Sequence, residues 1–143
     1  MLPHGASALV VAAFLSDVAA AAHLACIAIG APAYRFMGAG ERVARAVEAG
    51  RRQPTLVTLA IAAMLLLWSA YALSGAGVLA PLPLLKPALL VICALYLGRA
   101  VAFPLLKPAF PENSPTFWWV SSAICAVIGT AHAYGTLWLW QAQ

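Results

Sequence analysis

Apolar residues run almost unbroken through four stretches of this chain, about 6–30, 55–73, 84–103 and 117–140, and nine of the twelve charged residues fall between them. Crossing about 30 Å of hydrocarbon takes roughly 20 residues at a rise of 1.5 Å each, so every stretch has the length of a transmembrane helix. The punctuation agrees. Gly30 and Pro32 close the first stretch, Pro54 opens the second, and Ser114-Pro115 gives the fourth a cap and a first-turn proline. The expected fold is all-α: one domain, 1–143, formed by an antiparallel four-transmembrane-helix bundle with a loop over 31–54. In that loop Val43 and Val47 share a helical face, Glu41 stands four residues before Arg45, and Glu48 four before Arg52. This spacing predicts a short amphipathic helix lying at the membrane interface.

Composition supports a lipid solvent. Of 143 residues 64% are hydrophobic and 8% charged, more apolar surface than a water-soluble globule of this size can hide. The net charge of +4 does not indicate nucleic acid, because the cations sit in the gaps between spans rather than on one face. Arg35, Arg42, Arg45, Arg51 and Arg52 lie in the first gap, Arg99 and Lys107 flank the third, and only Lys86 flanks the second. The positive-inside rule then places the first and third connections in the cytoplasm and both termini outside, periplasmic in a bacterial inner membrane. Trp118 and Trp119 at one end of the last span, and Trp138 and Trp140 at the other, match aromatic belts at two interfaces. Arg42, Arg45, Arg51 and Arg52 are expected to contact anionic headgroups, which makes membrane lipids the first partner class. A second copy of the chain, or a larger membrane complex, is the other.

Cys26, Cys93 and Cys125 each sit in a different apolar run without metal-site spacing, and read as packing residues. No cofactor is implied. Ala8 to Leu15 imitates the core of a secretory signal, but no Lys or Arg precedes it and apolar sequence continues through Ile29, so a retained span is expected. The hexapeptide Pro-Leu-Leu-Lys-Pro-Ala occurs at 83–88 and again at 104–109, bracketing the third span, and is too short to establish an inverted repeat.

The candidate chemistry lies in residues that lipid should exclude. Alternating steps of three and four put Ser122, Cys125, Gly129, His132 and Thr136 on one seam of the last span, with Ile124, Val127, Ile128 and Leu139 largely off it. The same stepping gives Thr58, Ala62, Leu65, Ser69 and Ala72 in the second span, Leu89, Cys93, Tyr96 and Ala100 in the third, and Ala13, Asp17, Ala20 and Leu24 in the first, with Ala21 and Ala28 beside them. Small residues let membrane helices approach closely, so these seams are the expected inner faces. Asp17 is the one carboxylate inside a span, about 15 Å deep, where it must be protonated, paired or hydrated. Antiparallel threading puts Tyr96 near its depth and Ser69 and His132 in the outer third. These four are the candidate coupling or substrate-binding residues. His23, Arg99, Ser121 and Ser122 share a level near the cytoplasmic interface and form a candidate inner cluster. His23 and His132 stand roughly 10 to 15 Å apart along the membrane normal, too far for one haem iron. No metal ligand set is implied.

In helix count and in having an acidic residue in its first helix, the chain resembles the small multidrug resistance transporters. That resemblance implies proton-coupled exchange of cations by dimers, with Asp17 at the matching position. The chain departs from them in carrying Asp rather than Glu, an arginine-rich first loop and none of their flanking motif. Four spans and a basic first loop also resemble the membrane-associated eicosanoid and glutathione enzymes, but Thr55 to Leu73 holds none of the Arg, Asn or Glu of their second-helix motif. The leading expectation is therefore a transport or permeation protein using Asp17. An accessory or assembly subunit is the alternative, and a membrane enzyme or binding protein for lipid or quinone is a third.

Overall fold

The computed structural model describes residues 3–141. Its body is four long helices: α1 (His4–Ile29), α4 (Gln53–Gly75), α5 (Leu85–Val101) and α7 (Pro115–Gln141). Two short helices, α2 (Ala31–Phe36) and α3 (Glu41–Glu48), fill the first connection, and α6 (Phe103–Leu106) with a 3-10 turn at Lys107–Ala109 begins the last. Helices α1, α4 and α7 are each long and apolar enough to cross a membrane, as a membrane protein requires. Helix α5 passes that test together with Phe103–Ala109, the two being bent by 63°. The bend falls at Pro104, whose missing N–H and crowding ring interrupt the helical ladder. Both hexapeptide copies thus flank α5 but fold differently: the first leads into it through Leu84, and the second forms the bent segment.

The helices pack in the cyclic order α4, α1, α7, α5. Large apolar side chains point outward: Phe14, Leu67, Val91 and Leu137 are all more than half exposed. Alanines and small polar residues fill much of the interior, with Ala6, Ala13, Ala20, Ala62 and Ala72 almost wholly buried. This inverts the pattern of a water-soluble protein and suits a hydrocarbon surround, where close backbone contact replaces the drive to hide leucine. Gly135 makes such a contact, since a Cβ there would run into the Leu9 side chain and the Gly5 carbonyl oxygen. Gly129 does the same for α5 and α7 against Leu97 and Tyr96.

The connections sort onto two ends. Asn113 Nδ2 donates to the Gly38 carbonyl at 3.0 Å, and the Phe117 ring lies where a Cβ of Gly38 would point, so the first and third connections touch. Gly38 and Gly40, with φ of 73° and 89°, make the left-handed turn from α2 to α3 that permits this. At the other end Lys86 stands over the Trp140 ring at 5.6 Å. There Tyr71 donates to the Pro83 carbonyl, and Ser74 donates to the Ala80 carbonyl while accepting from the Leu82 N–H, tying the second connection back onto α4.

The expected seams hold on three helices. All five α4 positions are buried, and on α5 Leu89, Cys93 and Tyr96 are buried, as are Ser122, Gly129, His132 and Thr136 on α7. Ile128 is buried as well, although the stepping put it off the seam. Helix α1 differs. Its inner face is Ala6, Leu9, Ala13, Ser16 and Ala20, while Asp17 and Leu24, with Ala21 and Ala28, are exposed. From Ala13 a step of three reaches Ser16 and a step of four reaches Asp17; both fit a helix apolar all round, and the structure takes the first because Ser16 finds a partner across the bundle.

Gly135→Val is expected to force α1 from α7 and to destabilise the bundle by about 1 to 3 kcal/mol. A detergent-solubilised melting curve checks this, and an unchanged midpoint would show that the two helices do not meet there.

Candidate functional site

Tyr96 is the centre of the buried polar residues. Its hydroxyl and Ser16 Oγ are 2.9 Å apart, its ring stacks on His132 at 5.4 Å, and Trp68 meets it edge-on at 5.1 Å. His132 is fully buried, and its Nδ1 bonds the Ile128 carbonyl at 3.0 Å, which requires the proton to sit on Nδ1. Its Nε2 has no partner among the described residues. Cys93 Sγ and Thr136 Oγ1 approach to 3.7 Å. Of the expected outer group, Tyr96 and His132 come together and Ser69 is buried on the inner face of α4. Asp17 stands outside on the exposed surface of α1, and Ser16 holds the inward position expected for it. The shared depth of Tyr96 and the middle of α1 is as threaded.

The expected inner cluster divides. Arg99 Nη2 donates to Ser121 Oγ at 3.3 Å, the guanidinium carbon lies 5.5 Å from the Trp118 ring, and Ser122 is buried one turn beyond Trp118. His23 is elsewhere. Its Nδ1 donates to the Ala19 carbonyl at 2.8 Å, and the ring lines a cleft to which Arg99, Ser121 and Ser122 do not contribute.

That cleft, about 1150 Å³, lies between the end of α1, the α2–α3 segment and the start of α4. Arg42, Arg45 and Arg51 stand on its polar side, and Val57 and Ile61, one and two turns into α4, form an apolar wall with His23 and Cys26 opposite on α1. Phe110 and Glu112 reach it from the third connection. Tyr34 and Thr58 close it: Thr58 donates to the Pro54 carbonyl at 2.8 Å, so the Tyr34 hydroxyl donates to Thr58 Oγ1 at 3.0 Å. Sequence pattern did not reveal this pair, because Tyr34 lies in α2, a helix too short for periodicity to show.

Ion pairs hold the α2–α3 segment over the cleft. Arg35 binds both Glu41 oxygens, Nε at 2.8 Å and Nη2 at 3.0 Å, and reaches Glu48 at 2.8 Å. Arg45 adds a contact to Glu41 at 3.2 Å, the four-residue pair that the sequence predicts. Glu48 takes Arg35 rather than the expected Arg52, because the glycine turn folds α2 against α3 and brings Arg35 within reach. Hydrogen bonds from Arg35 and then Arg45 pull the Glu41 carboxyl down to about 2, and the carboxylates raise Arg35 above its ordinary value. Among the described residues Arg42 and Arg51 take no carboxylate partner. Arg42, Arg51 and Arg52 are exposed. No group of three or more His, Cys, Asp or Glu among the described residues could hold a metal ion.

A carboxyl pulled down from its ordinary 4.5 to about 2 stabilises the folded segment above pH 4.5, and that contribution fades as pH falls through 2. Spin labels at Phe36 and Ala49 are expected to keep one narrow distance at pH 6 and to broaden below about pH 3, where Glu41 begins to protonate. Glu41→Gln should be broad at both values, and a distribution indifferent to pH would show that the ion pairs do not hold α2 to α3.

Comparison with protein-family models, curated proteins and solved structures found no match for this chain.

Proposed function

We propose that the chain is a four-span bundle of a bacterial inner membrane, termini periplasmic, that binds an anionic lipid in the cleft beneath α2 and α3. The cleft carries the reading: there Arg42 and Arg51, which take no carboxylate partner among the described residues, share a surface of ligand size with an apolar wall. It exceeds the few hundred to about 1,000 Å³ of ordinary small-molecule pockets, which suits a headgroup with part of its chains. Arg42 and Arg51 meet the headgroup, while Val57 and Ile61 meet the first carbons of the chain. The arginine bias of the first connection supports the orientation, and the contact of Asn113 with Gly38, which sets the first and third connections at one end of the bundle, supports the four-span reading.

A second reading, assembly or transport through a second copy or another membrane protein, rests on Asp17. A carboxyl on the exposed face of a span, near mid-depth, needs a proton or a partner. Ala21 and Ala25, one and two turns along that face, are exposed and small enough for a second helix to approach.

Native mass spectrometry of protein released from nanodiscs tests both. Retention of phosphatidylglycerol over phosphatidylcholine is expected. Replacing Arg42 and Arg51 together by Gln should weaken it about 30-fold, at on the order of 1 kcal/mol per arginine near anionic lipid. Equal retention of both lipids, or indifference to the double variant, would contradict the cleft as a lipid site. The same spectra count protein copies and attached partners, and a chain that appears alone, with Asp17 or with Asp17→Leu, contradicts the second reading.

A further inference from the structure

Three of the four buried side-chain atoms that find no hydrogen-bond partner among the described residues belong to neighbouring side chains: Arg99 Nη1, Trp118 Nε1 and Ser122 Oγ. The first two are donors only, and the hydroxyl donates as readily as it accepts. Trp118 and Ser122 are 3% and 7% exposed. They lie one helical turn apart on α7, and Arg99 of α5 stacks its guanidinium against the Trp118 ring at 5.5 Å. Leaving such donors unpaired is costly, and most so for the charged one.

The cluster also carries an uncompensated charge. Among the described residues Arg99 has no carboxylate within ion-pairing distance, unlike Arg35 and Arg45. Its one side-chain hydrogen bond, to Ser121 Oγ, is long at 3.3 Å, and Ser121 already donates to the Trp118 carbonyl. Arg99 is two residues from the end of α5, at the same end of the bundle as the first connection, and is half-buried, so its flexible stem can turn the guanidinium toward the boundary of the bundle. A planar guanidinium, an indole N–H and a hydroxyl together make a donor set matched to a multi-oxygen anion.

We propose that Arg99, Trp118 and Ser122 form an oxyanion site between α5 and α7, separate from the cleft under α2 and α3, whose ligand is a phosphate group. Arg99 supplies the charge and two donors, Trp118 Nε1 and Ser122 Oγ supply one each, and the indole face keeps the guanidinium in place when the Ser121 contact is exchanged for the ligand. The phosphate belongs either to a lipid headgroup at that level or to free phosphate from the adjoining solution.

The full chain in nanodiscs of zwitterionic lipid is titrated with dioctanoyl phosphatidic acid and, separately, with inorganic phosphate, and bound ligand is counted by native mass spectrometry. Arg99→Gln is expected to weaken binding at least tenfold, and Ser122→Ala, which keeps the side-chain volume, and Trp118→Phe, which keeps an aromatic ring but removes the N–H, several-fold each. Arg99→Lys should bind more weakly than wild type but better than Arg99→Gln. In the Arg42→Gln, Arg51→Gln background, which removes cations of the cleft, Arg99→Gln should still lower the remaining binding at least tenfold, which separates this site from the cleft. Response to the lipid alone identifies a headgroup site, and equal response to inorganic phosphate identifies a free-anion site. Where Arg99→Gln fails to fold, Ser122→Ala and Trp118→Phe decide the matter. No saturable binding of either probe, or binding unchanged in those two variants, overturns the proposal.

Discussion

Hydrocarbon offers a helix no reward for hiding leucine, so helices associate in it through close backbone contact and through polar groups that satisfy one another. The crossing of α1 and α7 meets both conditions. Gly5 and Gly135 bring the backbones together around Leu9, and one to two turns further along Ser16 reaches the Tyr96 hydroxyl while His132 stacks on the Tyr96 ring. Because Tyr96 is on α5, this one set of contacts joins three of the four long helices. Helix α4 then closes the ring through Trp68 against Tyr96 and through its alanines against α1.

That packing determines where function can sit. With the interior filled by alanine, serine and a stacked Tyr-His pair, the exposed polar chemistry moves to the end of the bundle where the connections meet. There α2 and α3 fold across the cleft under the hold of Arg35, which takes two carboxylates and leaves Arg42 and Arg51 unpaired. A few ångströms of chain geometry make the difference. The left-handed turn at Gly38 and Gly40 brings Arg35 to Glu41 and also presents the Gly38 carbonyl to Asn113, so the same turn builds the cleft and ties the first and third connections together.

Much of this architecture was legible in the chain because it is carried by patterns repeated over many residues. The α4 and α7 seams follow from the spacing of small and polar residues, and the Glu41–Arg45 pair from a four-residue interval. Asp17 was misplaced for a specific reason: Ser16 and Asp17 are adjacent, both polar, on a helix whose apolar residues surround it, and only the hydroxyl of Tyr96, 80 residues away, decides which turns inward. The divided inner cluster shows the same limit. Depth along a helix places His23 near the level of Arg99, but depth says nothing about azimuth, and they face different neighbours. Arg35, Tyr34 and Thr58 depend on how α2 folds back, which local sequence does not announce.

The central claim is that α5, with its bent continuation, carries the chain back across the membrane, so that the first and third connections share a side. Single cysteines at Ala49, Val78 and Pro111, in a chain with Cys26, Cys93 and Cys125 replaced by Ala, can be labelled in spheroplasts with a membrane-impermeant maleimide. The account predicts that the Val78 position reacts in intact spheroplasts and that the Ala49 and Pro111 positions react only after permeabilisation. Labelling of the Pro111 position together with that of Val78, while Ala49 stays protected, would leave α5 on one side of the membrane and contradict the four-span bundle.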